Sequence, residues 1–372
     1  MKILHIPNYY NPHVGGIEKT CEDIVNSLKG KYEQEVICFK DAPHSQKDIV
    51  NDIPVIRVGT QTKVASQSIS VGYRKLLRKE FKEFKPDIVI FHYPNPFVAA
   101  SLLPLLEKNK NIKFILYWHL DITKQKMLGK LFDGQNKRLL KRANKIISTS
   151  REYASNSKYL PSYKEKITII PSCVSLRTMN EKDLKNKIEE IKEENKGKKI
   201  VFAFGRHVKH KGFNHFIDAA KELPTYNFVL GGKGKMTQEL KEQGKDLKNL
   251  KFITSLDDLT LEAYLYSSDV FVFPSLTKAE AFGLALAEAE LHGLPCVTFT
   301  IKGSGVNYVS IDNVTGLECP NGDSQALANA IKKILENDEL RKNFSNNALQ
   351  RAKDLFTYEA FNKAINDAID SL

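Results

Sequence analysis

Two carboxylates eight residues apart, Glu280 and Glu288, bracket an aromatic–glycine pair, Phe282-Gly283, in a chain of 372 residues. Before them runs Val270-Phe271-Val272-Phe273, an apolar stretch that reads as a buried strand. From Leu284 onward an Ala/Leu-rich segment reads as a helix. The expected order is strand, loop, helix, with Glu280 in the loop and Glu288 about two turns into the helix. Where a strand ends against a helix N-terminus, free amides and the helix dipole favour an anion. An acidic side chain at that place suits a neutral, hydroxyl-rich part of the ligand, and an acid farther along the helix suits a ribose. Glu280 in an otherwise apolar loop would be costly without a partner. Phosphate and hydroxyls in one molecule point to a sugar nucleotide, with Phe282, Gly283 and Leu284 as further contacts.

Cations for such a ligand stand in Gly205-Arg206-His207-Val208-Lys209-His210-Lys211-Gly212, after another apolar strand and before a helix. Neutralising a diphosphate asks for a bidentate fork and a point charge, which Arg206 and Lys211 supply. His119 follows the strand Lys113–Trp118 and is placed for a functional role, with Asp121 as the cap of the next helix. Gly15 and Gly16, in the loop after the first strand, permit close backbone approach at a helix start. That loop is neither a P-loop nor a Gly-x-Gly-x-x-Gly fingerprint. Gly231-Gly232-Lys233-Gly234-Lys235 reads as a flexible connection, and Lys302–Asn307 as a loop whose glycines could offer amides to a phosphate.

The elements that must position these residues alternate between strand and helix. In the first half, strands are expected at Lys2–Ile6, Glu35–Phe39, Pro54–Val58, Asp87–Phe91, Lys113–Trp118, Lys145–Thr149 and Lys166–Ile170. Helices are expected at Ile17–Leu28, Val71–Phe84, Phe97–Glu107 (bent at Pro104) and Lys124–Arg142. Asn180–Lys199 is dominated by Lys, Glu and Asn and reads as an exposed hinge helix outside the core. A second series has strands at Lys199–Gly205, Asn227–Leu230, Lys251–Ile253, Val270–Phe273 and Pro295–Thr300. It closes on helices Ser324–Glu336, Asp338–Asp354 and Tyr358–Ser371. Continuous apolar strands between helices imply parallel sheets covered on both faces, in two doubly wound domains with a cleft between them.

Composition narrows the class. No apolar run approaches the ~20 residues of a membrane span. Five scattered cysteines, with no Cys-x-x-Cys, argue against a disulfide framework or zinc site and for a reduced cytoplasm. The net charge of +12 admits nucleic acid, anionic lipid or a phosphorylated substrate, and no RNA-binding aromatic motif or zinc-finger spacing supports the first. Arg74–Lys85 is a basic amphipathic helix, read first as a domain helix with a solvated basic face and second as a dock for an anionic membrane.

Taken together, these residues resemble the retaining glycosyltransferases of family 4, whose architecture is GT-B. The resemblance runs along essentially the whole chain. It rests on the Glu-x7-Glu element Glu280–Glu288 and the Gly-Arg-x4-Lys-Gly element Gly205–Gly212. The segments Trp118–Asp121 and Gly303–Asn307 look most like bacterial O-antigen and capsule mannosyltransferases. It implies an α/β GT-B fold: an acceptor-side domain, 1–174 joined by helix 357–372, and a nucleotide-sugar domain, 175–356. It implies catalytic roles for Glu280, His119, Arg206 and Lys211. Arg206 and Lys211 would hold the diphosphate and Glu288 the ribose. Glu280 and His119 would reach the donor sugar, while Gly15 and Gly16 would approach the donor and shape the acceptor side. Neither metal nor cofactor is implied, and the anomeric configuration would be retained. The implied partners are a nucleotide-sugar donor (GDP- or UDP-sugar, GDP-mannose slightly preferred) and a glycan or lipid-linked acceptor. The implied location is the cytoplasm, with the inner membrane face as a peripheral dock. Two departures stand out: Ala281 where many members carry glycine, and Asn307 in a loop that often carries an acid. An epimerase or phosphorylase on the same fold, or a non-catalytic nucleotide-sugar-binding protein, are the rival readings.

Overall fold

The computed structural model describes residues 1–13, 15–64, 67–122 and 132–372. The chain divides into two compact units, residues 1–172 with 361–372, and residues 173–360. The limits expected from sequence, 174/175 and 356/357, lie a few residues from these.

In the first unit β1 (Lys2–Ile6), β2 (Glu33–Lys40), β3 (Gln46–Val50), β4 (Ile53–Gly59), β7 (Ile88–Tyr93), β8 (Lys113–Trp118), β9 (Lys145–Ser148) and β10 (Ile167–Ile169) form one sheet. Its order is β10-β9-β8-β7-β1-β2-β4-β3, and β5 (Thr62–Val64) pairs with β6 (Gln67–Ile69) apart from it. All pairs in the large sheet are parallel except β3 with β4. In the second unit β11 (Ile200–Phe204), β12 (Asn227–Gly231), β13 (Leu250–Ile253), β14 (Val270–Phe273), β15 (Cys296–Phe299) and β16 (Gly316–Cys319) are all parallel, in the order β13-β12-β11-β14-β15-β16. The order reverses between β1 and β7 in one unit and between β11 and β14 in the other. At such a point neighbouring crossovers leave to opposite faces, opening a crevice at the carboxyl ends of the strands.

The strands of the second unit are apolar on both faces because helices cover both. Val201, Ala203, Val270 and Val272 enter one core cluster; Ile200, Phe202, Phe271 and Phe273 enter the other. Alternate residues of a strand point to opposite faces, so a continuous apolar run is what a two-sided core requires.

Several expectations need correction. Strands β3, β5, β6 and β16 were not expected: β3 is a largely exposed, polar edge, and β16 begins at a glycine. The expected helix Lys124–Arg142 is seen only as Asp133–Arg142, its earlier part lying outside the described residues. The charged helix is Glu181–Glu194, and it does join the core: Ile191 is buried, and Leu184 and Ile188 pack on the same cluster. Their i, i+4, i+7 spacing was hidden among lysines and glutamates. The basic helix, Tyr73–Glu83, buries Tyr73, Leu77 and Glu80 and leaves Arg74, Lys75, Arg78, Lys79 and Lys82 exposed. Its apolar face is thus a domain face.

Helix Leu284–Leu291 carries a second buried acid, Glu290, hydrogen bonded to Thr315 Oγ1 at 2.7 Å. Burial pushes its carboxyl up to about 8, beyond what Thr315 and Arg351 pull down. Between its unfolded value and that raised value the folded chain holds a proton that the unfolded chain has released, so stability falls as pH rises through this window. Glu290→Gln is expected to flatten that slope and raise the melting temperature at pH 8, with little change at pH 5. A thermal melt series across pH checks it.

Candidate active site

In the second unit the loops after β11 and β14 meet at the point where the strand order reverses. The loop after β11 ends at Gly212, in the left-handed region at φ 64°, where a Cβ would stand 2.1 Å from the Pro274 carbonyl oxygen. Only glycine permits that approach. The Leu276 amide donates to the His210 carbonyl at 2.9 Å, fastening the two loops together. This closure places Lys211 against Glu280.

Lys211 Nζ lies 2.8 Å from Glu280 Oε2 and 4.6 Å from the centroid of the Phe273 ring. His210 Nε2 lies 3.6 Å from Glu280 Oε1. Both members of the Lys211–Glu280 pair are nearly buried, at 12% and 13% exposure. Burial alone would raise the Glu280 carboxyl; Lys211 and His210 outweigh it and hold it at about 2. Glu280 is therefore an ionised acceptor at neutral pH and has no proton to donate. Arg206 is exposed, and its guanidinium makes no ion pair among the described residues. One cation is thus paired with the loop acid and one is open to an incoming anion.

Gly283, at φ 102°, precedes helix Leu284–Leu291, whose first amides lack intrahelical partners. Phe282 does not face this opening: its side chain is buried edge-on to Phe356, with centroids 5.5 Å apart. Leu284 is half-buried against the same core cluster. Glu288 is the fifth residue of the helix, one turn in rather than two. Its Oε2 is 2.8 Å from Nη2 of Arg177, a residue that sequence reasoning did not single out. In the glycine loop 303–305 the Ser304 and Gly305 amides are already taken, Ser304 N–H donating to the Ile301 carbonyl. Gly305 N–H donates to the Ala281 carbonyl and Val306 N–H to Ser304 Oγ, while the Ser304 hydroxyl donates to the Glu280 carbonyl. A Cβ at Gly305 would meet Ala281 O at 2.2 Å. This loop braces the Glu280 loop, and Asn307 closes its own turn by accepting from Ile301 N–H at 2.8 Å. Gly231–Lys235 is likewise fastened, contrary to its reading as a flexible link. The Gly231 and Lys233 carbonyls accept from the Gly205 and His207 amides at 3.0 and 3.1 Å.

In the first unit Gly15 caps helix Gly16–Leu28, and Gly16 is exposed. The preceding loop is held by Arg57, which donates to the Tyr10 and Asn11 carbonyls, and by Asn8, which bonds Pro94 O and Asn95 across the β1/β7 reversal. His119 follows β8. Its Nε2 is 3.0 Å from Nδ1 of the fully buried His92, and its ring stacks on Tyr117 at 4.3 Å. Burial lowers its pKa to about 3, so it is a neutral imidazole suited to hydroxyls rather than a cation for phosphate. Asp121 is committed elsewhere: its carboxylate accepts from Trp118 Nε1, Ser157 Oγ and Lys158 N–H at 2.8, 2.8 and 3.0 Å. Among the described residues one set of metal-type ligands converges, His5, Cys21 and His92, all fully buried with ligand atoms within 4.8 Å of one another. None of Glu280, Glu288, Arg206 or Lys211 belongs to it.

No helix among the described residues is long and apolar enough to cross a membrane. Residues 14–178 match the family described as Glycosyltransferase Family 4, and residues 185–351 the one described as Glycosyl transferases group 1. The D-rhamnosyltransferase WbpZ of Pseudomonas aeruginosa is 28% identical, over 96% of this chain and 92% of that protein. The O-antigen chain mannosyltransferase C of Escherichia coli is 27% identical, over 96% and 95%. Among solved structures, HepE of Anabaena in complex with UDP matches with a TM-score of 0.81 at 20% identity, over 100% of both chains. Sucrose-phosphate synthase from Thermosynechococcus elongatus matches at 0.78 and 18%, over 100% of this chain and 98% of that one. Two Rossmann-like units carry these matches along nearly all of the sequence, and the chain belongs to the glycosyltransferases, with the GT-B fold.

Proposed function

We propose that the protein moves a hexose, with retention and without a metal, from a nucleotide-sugar donor to a glycan or lipid-linked acceptor in surface-polysaccharide assembly. The observation that carries this is the nearly buried Lys211–Glu280 pair, with Arg206 exposed in the same loop as Lys211. The donor diphosphate would take Arg206 and share Lys211, and both would stabilise it as it leaves. Glu280, ionised and fixed, would accept from donor-sugar hydroxyls, and Glu288 from the ribose. His119, neutral, would contact the sugar. The acceptor hydroxyl would attack on the face from which the phosphate departs, passing its proton to that phosphate. GDP-mannose is the first donor to try, in keeping with the mannosyltransferase and rhamnosyltransferase relatives; the UDP complexes of HepE make UDP-sugars the next. The reaction would take place in the cytoplasm, with the exposed cations of helix Tyr73–Glu83 as the face toward an anionic membrane.

The test is the anomeric proton signal of the product formed on lipid-linked glycan acceptors in the presence of EDTA. The donor's own configuration, at an undiminished rate, is expected; inversion or loss of activity on chelation would overturn the reading. His119→Ala is expected to slow transfer about tenfold or more while leaving nucleotide affinity within about twofold, the scale of lost polar contacts to one part of the donor. Steady-state kinetics beside titration calorimetry with UDP and GDP separate the two effects.

A further inference from the structure

Glu288 is one station in a closed ring of polar contacts. Arg177 Nη2 binds Glu288 Oε2 at 2.8 Å, and Arg177 Nη1 binds Glu262 Oε2 at 3.0 Å. His292 Nε2 meets Glu262 Oε1 at 2.7 Å, and His292 Nδ1 meets the Glu288 carbonyl oxygen at 2.7 Å. The carbonyl can only accept, and Glu262 is already paired with arginine, so the imidazole bridges the Glu288 backbone and the anchored acid. Arg177 thus lies between two carboxylates, with the exposed Asp258 3.4 Å from Arg177 Nε outside the ring. Glu262 and His292 are each 1% exposed, whereas Arg177 and Glu288 are 23% and 20% exposed. The buried half anchors the arginine, and the arginine in turn anchors the more open carboxylate. Arg177 belongs to neither helix that supplies those acids: it lies in the irregular segment before helix Glu181–Glu194. Glu288 Oε1 has no partner among the described residues.

We propose that Arg177 is a positioning residue for the nucleotide. By holding Oε2 it presents Oε1 alone to the ribose hydroxyls, and so sets the preference of this site for ribonucleoside over deoxyribonucleoside diphosphates. The inference rests on the reading of Glu288 as the ribose ligand. A planar fork can hold two carboxylates at fixed angles, which an ammonium cannot. A carboxylate oxygen fixed for a hydroxyl penalises a ligand that lacks it, because the oxygen is then left unpaired.

The experiment is calorimetric binding of UDP and GDP, each beside its 2′-deoxy and 3′-deoxy analogue, to the full chain. The wild-type protein is expected to favour the ribonucleotide about tenfold or more over at least one analogue. Arg177→Gln is expected to weaken ribonucleotide binding about tenfold and bring the ratio to within about twofold, with the analogues little affected. Arg177→Lys keeps part of the preference and carries the test if the glutamine variant does not fold. Adding Arg177→Gln to Glu288→Gln is expected to change nothing further. Equal weakening of all ligands, or an unchanged ratio in a variant that melts like the wild type, overturns the inference. An unchanged ratio in Glu288→Gln itself removes the ribose role of Glu288 instead, so the two failures are told apart.

Discussion

Glu280→Ala is expected to lower the rate of transfer by two to three orders of magnitude (~10²–10³), the scale of losing one preorganised polar contact at the reacting centre. The expectation follows from how firmly this side chain is set. Its carboxylate is held by Lys211 and His210, and its own carbonyl is bonded by Ser304. The variant also leaves Lys211 nearly buried without its acid, which destabilises the second unit by about 1–3 kcal/mol. A melting temperature lowered by a few degrees should recover in part when UDP or GDP supplies the missing negative charge. Single-turnover kinetics and thermal melts with and without nucleotide check both. Near-normal turnover in the folded variant removes Glu280 from the site.

Lys211→Ala is expected to weaken donor binding by about tenfold to a hundredfold, since a charge-assisted contact in a desolvated site contributes ~1.5–3 kcal/mol. It also slows departure of the diphosphate, so kcat falls along with affinity. The variant changes how the protein responds to acid. In the wild type the Glu280 carboxyl is depressed to about 2, so its contribution to stability is present above its ordinary value of 4.5 and is lost as pH falls toward 2. Without Lys211, burial dominates and that acid-side loss shrinks or reverses. Titration calorimetry with the donor and a melt series from pH 2 to 7 read the two effects. Unchanged affinity and rate contradict the role given to Lys211.

What was legible in the sequence was local. A strand, a loop and a helix in succession, with Glu280 and Lys211 each near a strand end, could be read from apolar runs and glycines. Parallel β11 and β14 are adjacent in the sheet, so two such loops were bound to meet. The parts that were not legible depend on partners far along the chain. Arg177 reaches Glu288 across 111 positions, and His92 reaches His119 across 27, with no motif to announce either. The loop 303–305 looked like an anion cradle because its glycines were read for their amides. The use of Gly305 is steric, letting its backbone approach Ala281 where a Cβ would not fit. Phe282 stands between the two acids in sequence, yet its side chain turns to the core. The expected place of Glu288, two turns into its helix, failed because the chain stays in the loop conformation until Gly283. Edge strand Gln46–Val50 escaped because an exposed, polar segment lacks the alternation that betrays a half-buried strand.

Nucleotide release from a panel of UDP-, GDP-, ADP- and dTDP-sugars, followed with and without EDTA and beside a thermal-shift measurement of binding, tests the central claim most directly. Release or stabilisation by a UDP- or GDP-sugar, unchanged by EDTA and lost in Lys211→Ala, is the predicted result. A panel in which no sugar nucleotide is cleaved and none raises the melting temperature contradicts it.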